Sequence, residues 1–279
     1  MDDTCYRHPD RPTGRHCTRC GRAACAECLR PAAVGSHCLE CLRAVAPSPV
    51  EKVRSRVATG APVATAALVA ANVVVYLWSQ AAQSTRGLSS VIARFGLFGP
   101  IVAENGEWYR LITSGFLHFD LRHIGFNMVM LWLLGRQLER IIGPVRFLAV
   151  YAVALLGGSA LALLLSPNAI TAGASGAIFG VMSALYVAME RRGLDPWNSG
   201  VGSLILINVF LSFMIPNISI GGHLGGLVGG ALAVYVLDDR GAETWRRRAV
   251  VRWGAAAGLG VLMFGAGLVA ASTWSSPLL

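Results

Sequence analysis

Five side chains scattered through the apolar part of this chain have the types and spacing that acyl-transfer chemistry draws on. Ser175 sits in Gly173-Ala174-Ser175-Gly176 at the start of an apolar run, and His223 opens another. His118, His123 and Asn127 lead into a third. A serine hydroxyl is a weak nucleophile until a neighbouring base takes its proton, and His223 is the candidate base. His123 and Asn127 are four residues apart and share one helix face. With the Ser175 backbone N–H they can stabilise a tetrahedral oxyanion. No acidic residue lies in the apolar runs where it could orient His223, so the expected unit is a dyad. Taken singly, each group has a plain structural role as a helix cap, a packing notch or a satisfied core histidine. Taken together, polar groups inside apolar spans are costly and point to catalysis.

The elements that must hold these groups are membrane spans. The chain has 279 residues, 54% apolar and only 14% charged, with a mean hydropathy of +0.54. Soluble domains carry about a quarter charged residues, and here the shortage falls after residue 56. A span needs about 20 apolar residues, and the sequence predicts seven. They run over Val63 to Ala81, His123 to Ile141, Val145 to Leu165, Ser175 to Met189, Val201 to Ile215, Gly222 to Leu237 and Ala255 to Trp274. The fourth and sixth are short for lipid-facing spans and are expected to be sheltered by neighbours. The predicted fold is therefore an all-α polytopic membrane protein.

Basic residues set the expected orientation. Lys52, Arg54 and Arg56 precede the first span, and Arg136, Arg140 and Arg146 lie between the second and third. Arg191 and Arg192 follow the fourth, and Arg240, Arg246, Arg247, Arg248 and Arg252 follow the sixth. The loops at 166–172 and 216–221 carry no charge. This places the N-terminus inside, the C-terminus outside, and Ser175, His123 and His223 at one depth near the outer surface. The net charge of +9 is accounted for by this topology and gives no reason to expect nucleic acid as a partner.

Two glycine series bear on how the spans meet. Gly222, Gly226 and Gly230 recur every fourth residue, as do Gly221, Gly225 and Gly229, while Gly176 and Gly180 give the fourth span a matching face. Small residues let helices approach closely, and packing the fourth span on the sixth would bring Ser175 within reach of His223. The segment of about 40 residues between the first two spans contains Trp108 and Arg110 and is expected to lie in the outer interface; connections of that length are usually functional.

All seven cysteines fall within residues 5 to 41. Ligand-type residues form four pairs with two residues between partners: Cys5/His8, Cys17/Cys20, Cys25/Cys28 and Cys38/Cys41. Each such knuckle points two donors at one centre, and zinc takes four donors tetrahedrally. Eight ligands suit two structural zinc ions, whereas an odd cysteine count and knuckle spacing argue against disulfides. A cross-brace (first knuckle with third, second with fourth) and a sequential arrangement both remain open, and His16 and His37 offer alternative ligands. Reducing cytosol suits free thiolates. The order of ligands resembles B-box-type zinc fingers. So short a segment buries little core, and metal would supply most of its folding free energy. Its arginines read as solvated surface. The expected organisation is a zinc-binding module at 1–44, a linker at 45–61, a six-span core at 62–240 and a seventh span within 241–279. No amino-terminal signal sequence is expected.

Several motifs in order resemble the rhomboid family of intramembrane serine proteases. They are Glu107-Trp108-Tyr109-Arg110, His118-x4-His123-x3-Asn127, Gly135-x3-Glu139-x3-Gly143, Gly173-Ala174-Ser175-Gly176 and Gly222-His223-Leu224-Gly225-Gly226. The resemblance covers about residues 63 to 237. It implies a six-helix core around a water-filled cavity, with a seventh C-terminal helix and the zinc module as additions. It implies Ser175 as nucleophile, His223 as base, and His123, Asn127 and the Ser175 amide as the oxyanion site, with His118 structural. No cofactor for catalysis is implied. The implied partners are membrane-anchored proteins cleaved in or near a transmembrane segment, in the bilayer of a prokaryotic inner or plasma membrane, with a cytosolic partner for the zinc module a further expectation. Many members stack a tyrosine on the histidine; Phe179 stands at that position here. The alternative is a catalytically inactive rhomboid-like protein that binds membrane clients, although such relatives are expected to lack the serine or the histidine. A transporter would show inverted repeats or broken mid-membrane helices, and neither is read here.

Overall fold

The computed structural model describes residues 3–32, 34–45, 60–86, 89–238 and 245–273. Pro47 and Pro49 of the linker, the basic cluster Lys52, Arg54 and Arg56, Arg240 and Trp274 lie outside the described residues. The chain divides into two compact units, Met1–Arg56 and Val57–Leu279.

The first unit has two antiparallel two-stranded sheets, β1 (Thr4–Cys5) with β2 (His8–Pro12) and β3 (Leu29–Pro31) with β4 (Ser36–Cys38). A short helix α1 (Leu39–Val45) follows. Two-stranded sheets are marginal alone, and the buried side chains are few and mostly cysteine: Cys5, Cys17, Ala24, Cys28 and Cys38. The strands and turns serve to bring knuckles together.

The second unit is helical. Among the described residues seven longer helices carry it: α2 (Val63–Arg86), α6 (Leu121–Ile142), α7 (Pro144–Leu165), α8 (Ser175–Glu190), α9 (Val201–Met214), α10 (Ile220–Leu237) and α11 (Trp245–Thr273). Between α2 and α6 lie three short ones, α3 (Ser89–Phe95), α4 (Gly99–Asn105) and α5 (Arg110–Thr113). Stretches of α2, α7, α10 and α11 are long and apolar enough to cross a membrane. The helices α8 and α9 are apolar but shorter, and α6 carries Arg136, Glu139 and Arg140 near its end. Each agrees with a span expected from the sequence, and the protein is multi-pass.

Local chemistry sets the helix ends. Asp120 caps α6, accepting from the backbone N–H groups of Arg122 and His123 at 2.8 and 2.9 Å. One residue, Gly143 (φ +82°), ends α6 and begins α7, with Pro144 in the first turn; proline is pre-set for that position and glycine for that dihedral. Ser219 caps α10 through the Gly222 N–H.

Helix α10 packs chiefly against α7 and α8, so it lies at the centre. Both glycine rows are used. A methyl group on Gly226 or Gly230 would strike the carbonyl oxygens of Gly176 and Gly180 on α8. The row Gly221, Gly225 and Gly229 turns instead to α7, where Leu161, Gly157 and Val153 present their backbones. The sequence reading gave α10 one partner; the Gly157-Gly158 pair on α7 supplies the second. The hydroxyl of Ser183 on α8 donates to the Leu227 carbonyl of α10 at 2.7 Å.

The buried Glu139 of α6 anchors α2. Its carboxylate accepts from the Ala64 N–H at 2.8 Å and from the Thr65 N–H and hydroxyl, both at 2.7 Å. A carboxylate at a helix start satisfies orphan donors and meets the positive end of the helix dipole.

Candidate active site

The segment before α6 is tied to the loop that delivers Ser175. Arg110 is 3% exposed; its guanidinium donates to the carbonyls of Ala93 and Gly96, each at 2.7 Å, and pairs with Glu107. The Tyr109 hydroxyl and then Arg110 hold the Glu107 carboxyl below the usual carboxylate range. Leu97 and Thr171 exchange backbone hydrogen bonds, and the Gly173 N–H donates to the Ser114 carbonyl at 2.9 Å. Arg110 therefore belongs to a folded clamp on residues 167–173, while Trp108 meets Phe264 of α11 at 6.0 Å between ring centroids.

That clamp ends at a special backbone. Gly173 has φ +136°, and a methyl group on it would meet the imidazole of His123 at 2.8 Å from Nε2. Only glycine lets the chain pass this close to His123 before turning into α8 at Ser175. The first N–H groups of α8, that of Ser175 included, have no partner within the helix.

From α10, His223 reaches the serine: its Nε2 lies 2.9 Å from Ser175 Oγ. Phe179, one turn along α8, stacks on the His223 ring with centroids 3.9 Å apart and planes at 15°. The expected ring face is present. On the other nitrogen, Nδ1 lies 2.6 Å from the hydroxyl of Ser212 on α9. Sequence reasoning passed over Ser212 and its neighbour Asn208. The signal was there, since both are polar, four apart and inside an apolar span, which is the pattern already used for His123 and Asn127.

His123 and Asn127 line the same cavity of about 850 Å³ as Ser175 and His223. Phe119 stacks on the His123 ring at 5.9 Å, and His118, buried at 1% exposure, meets its edge at 4.9 Å. Asn127 is 2% exposed, and among the described residues its side-chain nitrogen has no hydrogen-bond partner. A buried amide donor without a partner is costly, and this one borders the space before Ser175. The structure thus brings all four expected side chains to one cavity. A hydroxyl aimed at an imidazole, beside unpaired donors, is an arrangement suited to acyl transfer.

In the first unit the knuckles cross. Cys5, His8, Cys25 and Cys28 form one group and Cys17, Cys20, Cys38 and Cys41 the other, with ligand atoms in each within 4.8 Å of one another. The open question of pairing is answered as first with third and second with fourth. His16 is drawn off by Asp3 at 2.8 Å, and His37 belongs to neither group. Cys20 and Cys38 sulfurs are 3.8 Å apart, the edge of a tetrahedron with bonds of about 2.3 Å, the zinc–sulfur length. Burial, followed by Cys5, pushes the Cys28 thiol up, and Cys20 pushes Cys41 up. Anionic donors this crowded repel one another, and a divalent cation would offset that. Both groups can hold a metal ion.

Comparison with known proteins agrees with this architecture. The family model described as Rhomboid domain matches residues 105–240. The chain is 35% identical over 192 residues to Rhomboid protease GluP of Bacillus subtilis (strain 168), covering 68% of this chain but 38% of that protein. It is 37% identical over 136 residues to YdcA of the same organism, which also carries the rhomboid name, covering 47% of this chain and 68% of that protein. RHOMBOID-like protein 7 of Arabidopsis thaliana is 32% identical over 168 residues, 58% of this chain and 53% of that protein. With the matched region holding the clamp, the serine loop and the glycine-packed helices, the chain belongs to the rhomboid family.

Proposed function

We propose that this protein is an intramembrane serine endopeptidase that hydrolyses peptide bonds in or near the transmembrane segments of membrane-anchored proteins. The observation that carries the reading is the 2.9 Å approach of Ser175 Oγ to His223 Nε2 inside a cavity of the helical body. His223 takes the Ser175 proton as Oγ bonds to the substrate carbonyl carbon. The carbonyl oxygen becomes an oxyanion, held by His123, Asn127 and the Ser175 N–H. Collapse breaks the C–N bond, and the leaving amine takes the proton from His223. Water then attacks the acyl-serine with His223 again as base, releasing the acid and restoring Ser175.

The membrane position follows from charge. Arg136, Arg140 and Arg146 flank the α6–α7 turn, which supports a cytoplasmic side for that turn and the N-terminus and a site open to the outer face; the membrane in this reading is a prokaryotic inner or plasma membrane. Residues 1–44 form a cytosolic module holding two structural zinc ions, with 45–61 as linker, 62–240 as the catalytic core and 241–279 as the seventh-span segment. Zinc there supplies folding energy and no catalytic step. Such a module is also a place for a cytosolic partner to bind.

The test is cleavage of a single-span substrate in liposomes by wild type and Ser175→Ala. Cleavage that vanishes in the variant supports the protease and the nucleophile together. Neither cleavage nor labelling of Ser175 by a fluorophosphonate would replace this reading with that of an inactive client-binding relative.

A further inference from the structure

We infer that Ser212 is a positioning residue for His223, fixing from α9 which imidazole nitrogen carries the proton. The inference rests on the protease reading above. The Ser212 side chain is buried at 4% exposure and among the described residues has two hydrogen-bond partners: His223 Nδ1 at 2.6 Å and the Asn208 carbonyl oxygen at 2.7 Å. A hydroxyl has one hydrogen, and a carbonyl oxygen only accepts. Both contacts are hydrogen bonds in one assignment alone: Ser212 donates to Asn208, and Nδ1–H donates to Ser212 Oγ. In the neutral imidazole Nε2 is then the unprotonated nitrogen, and it faces Ser175 at 2.9 Å.

The order of donors runs Ser175 O–H to Nε2, Nδ1–H to Ser212, and Ser212 O–H to Asn208. This is the arrangement a general base needs, with its lone pair toward the nucleophile. When His223 takes the serine proton, the Ser212 oxygen dipole faces the new positive charge. Among the described residues, no carboxylate bonds His223, so a neutral hydroxyl fills the orienting place that an aspartate fills in a serine triad. The Asn208 side chain also bonds within its own helix, donating to the Leu204 carbonyl at 2.8 Å. The inward face of α9 is thus polar at 208 and 212, while Leu206, Ile207, Phe210 and Phe213 are exposed. Replacing Ser212 by alanine leaves a buried Nδ1–H without an acceptor. Moving that proton to Nε2 relieves it and disables the base.

The experiment compares full-length wild type, Ser212→Ala and Ser212→Thr in detergent. The measurements are kcat and KM on a single-span substrate, the unfolding midpoint, and the nitrogen-15 imidazole shifts of His223. Expected are an Nδ1-protonated ring in wild type and loss of that bias in Ser212→Ala. With it comes a fall in kcat of about tenfold, or about 1.4 kcal/mol, at unchanged KM. Ser212→Thr, which keeps the hydroxyl, should stay within about twofold, well inside that same scale. An Nε2-protonated ring in wild type overturns the inference without any variant. So does an unaltered kcat in Ser212→Ala, or equal losses in both variants with a lowered midpoint. If wild type cleaves nothing, the protease reading falls while the imidazole shifts still decide the role of Ser212.

Discussion

The two units hold polar groups in fixed geometry by opposite means. In the first, eight ligand residues converge on two centres, and little else is buried. Its strands are two to five residues long, too short to fix anything alone. In the second, the polar groups Ser175 and His223 sit at the starts of two helices whose backbones touch through glycine. There the scaffold comes first and the polar pair is a consequence. A unit built around ions should fail as a whole when they leave, whereas a unit built on backbone contact should fail by degrees.

The largest effect therefore belongs to metal removal. Structural zinc contributes an apparent ~10–16 kcal/mol in zinc-finger peptides, so chelation, or Cys25→Ser, should unfold residues 1–44. Limited proteolysis would show new cleavage within that segment. A segment that stays resistant after chelation would erase the contrast drawn here.

Next comes Gly226→Val in the α8–α10 contact, where any side chain meets the Gly176 carbonyl. Overpacking of this kind costs about 1–3 kcal/mol or more. The detergent unfolding midpoint should drop, and fluorophosphonate labelling of Ser175 should fall with it. A tolerated valine would mean that the helices are not held by backbone contact.

The membrane body does contain one anion-centred anchor, Glu139 with its three donors. Glu139→Gln replaces one acceptor oxygen by a donor facing a backbone N–H. Hydrogen bonds to charged groups are worth about 1.5–3 kcal/mol, so a loss of about 2 kcal/mol in unfolding free energy is expected. Labelling at low temperature should persist, because Ser175 is held by other contacts. The smallest effect is expected from Phe179→Leu, which removes the ring on His223. Aromatic stacking adds about 0.5–1.5 kcal/mol, which corresponds to a cleavage rate lowered up to about tenfold with the unfolding midpoint little changed.

What was legible in the sequence was local. A C-x-x-C knuckle is complete within four residues and an apolar span within about twenty, so the eight ligand-type residues and the seven longer helices could be read directly. Ser175, His223, His123 and Asn127 stood out because each is polar against an apolar background. Residues 105–113 showed as part of a long mixed segment and as the motif Glu107-Trp108-Tyr109-Arg110; that Arg110 ties Ala93 and Gly96 together needed the folded chain.

Sequence alone determined which residues are of ligand type, which stretches are helical and which side chains are polar where polarity is expensive. Tertiary structure alone decided which of them meet. It crossed the knuckles, turned the second glycine row of α10 to Leu161, Gly157 and Val153 of α7, and set Ser212 against the far nitrogen of His223. The physical reason is that a helix or a knuckle forms from neighbours a few residues apart. The choice of facing surface depends instead on shape and hydrogen bonding between segments tens of residues apart, and no short window of sequence contains both partners.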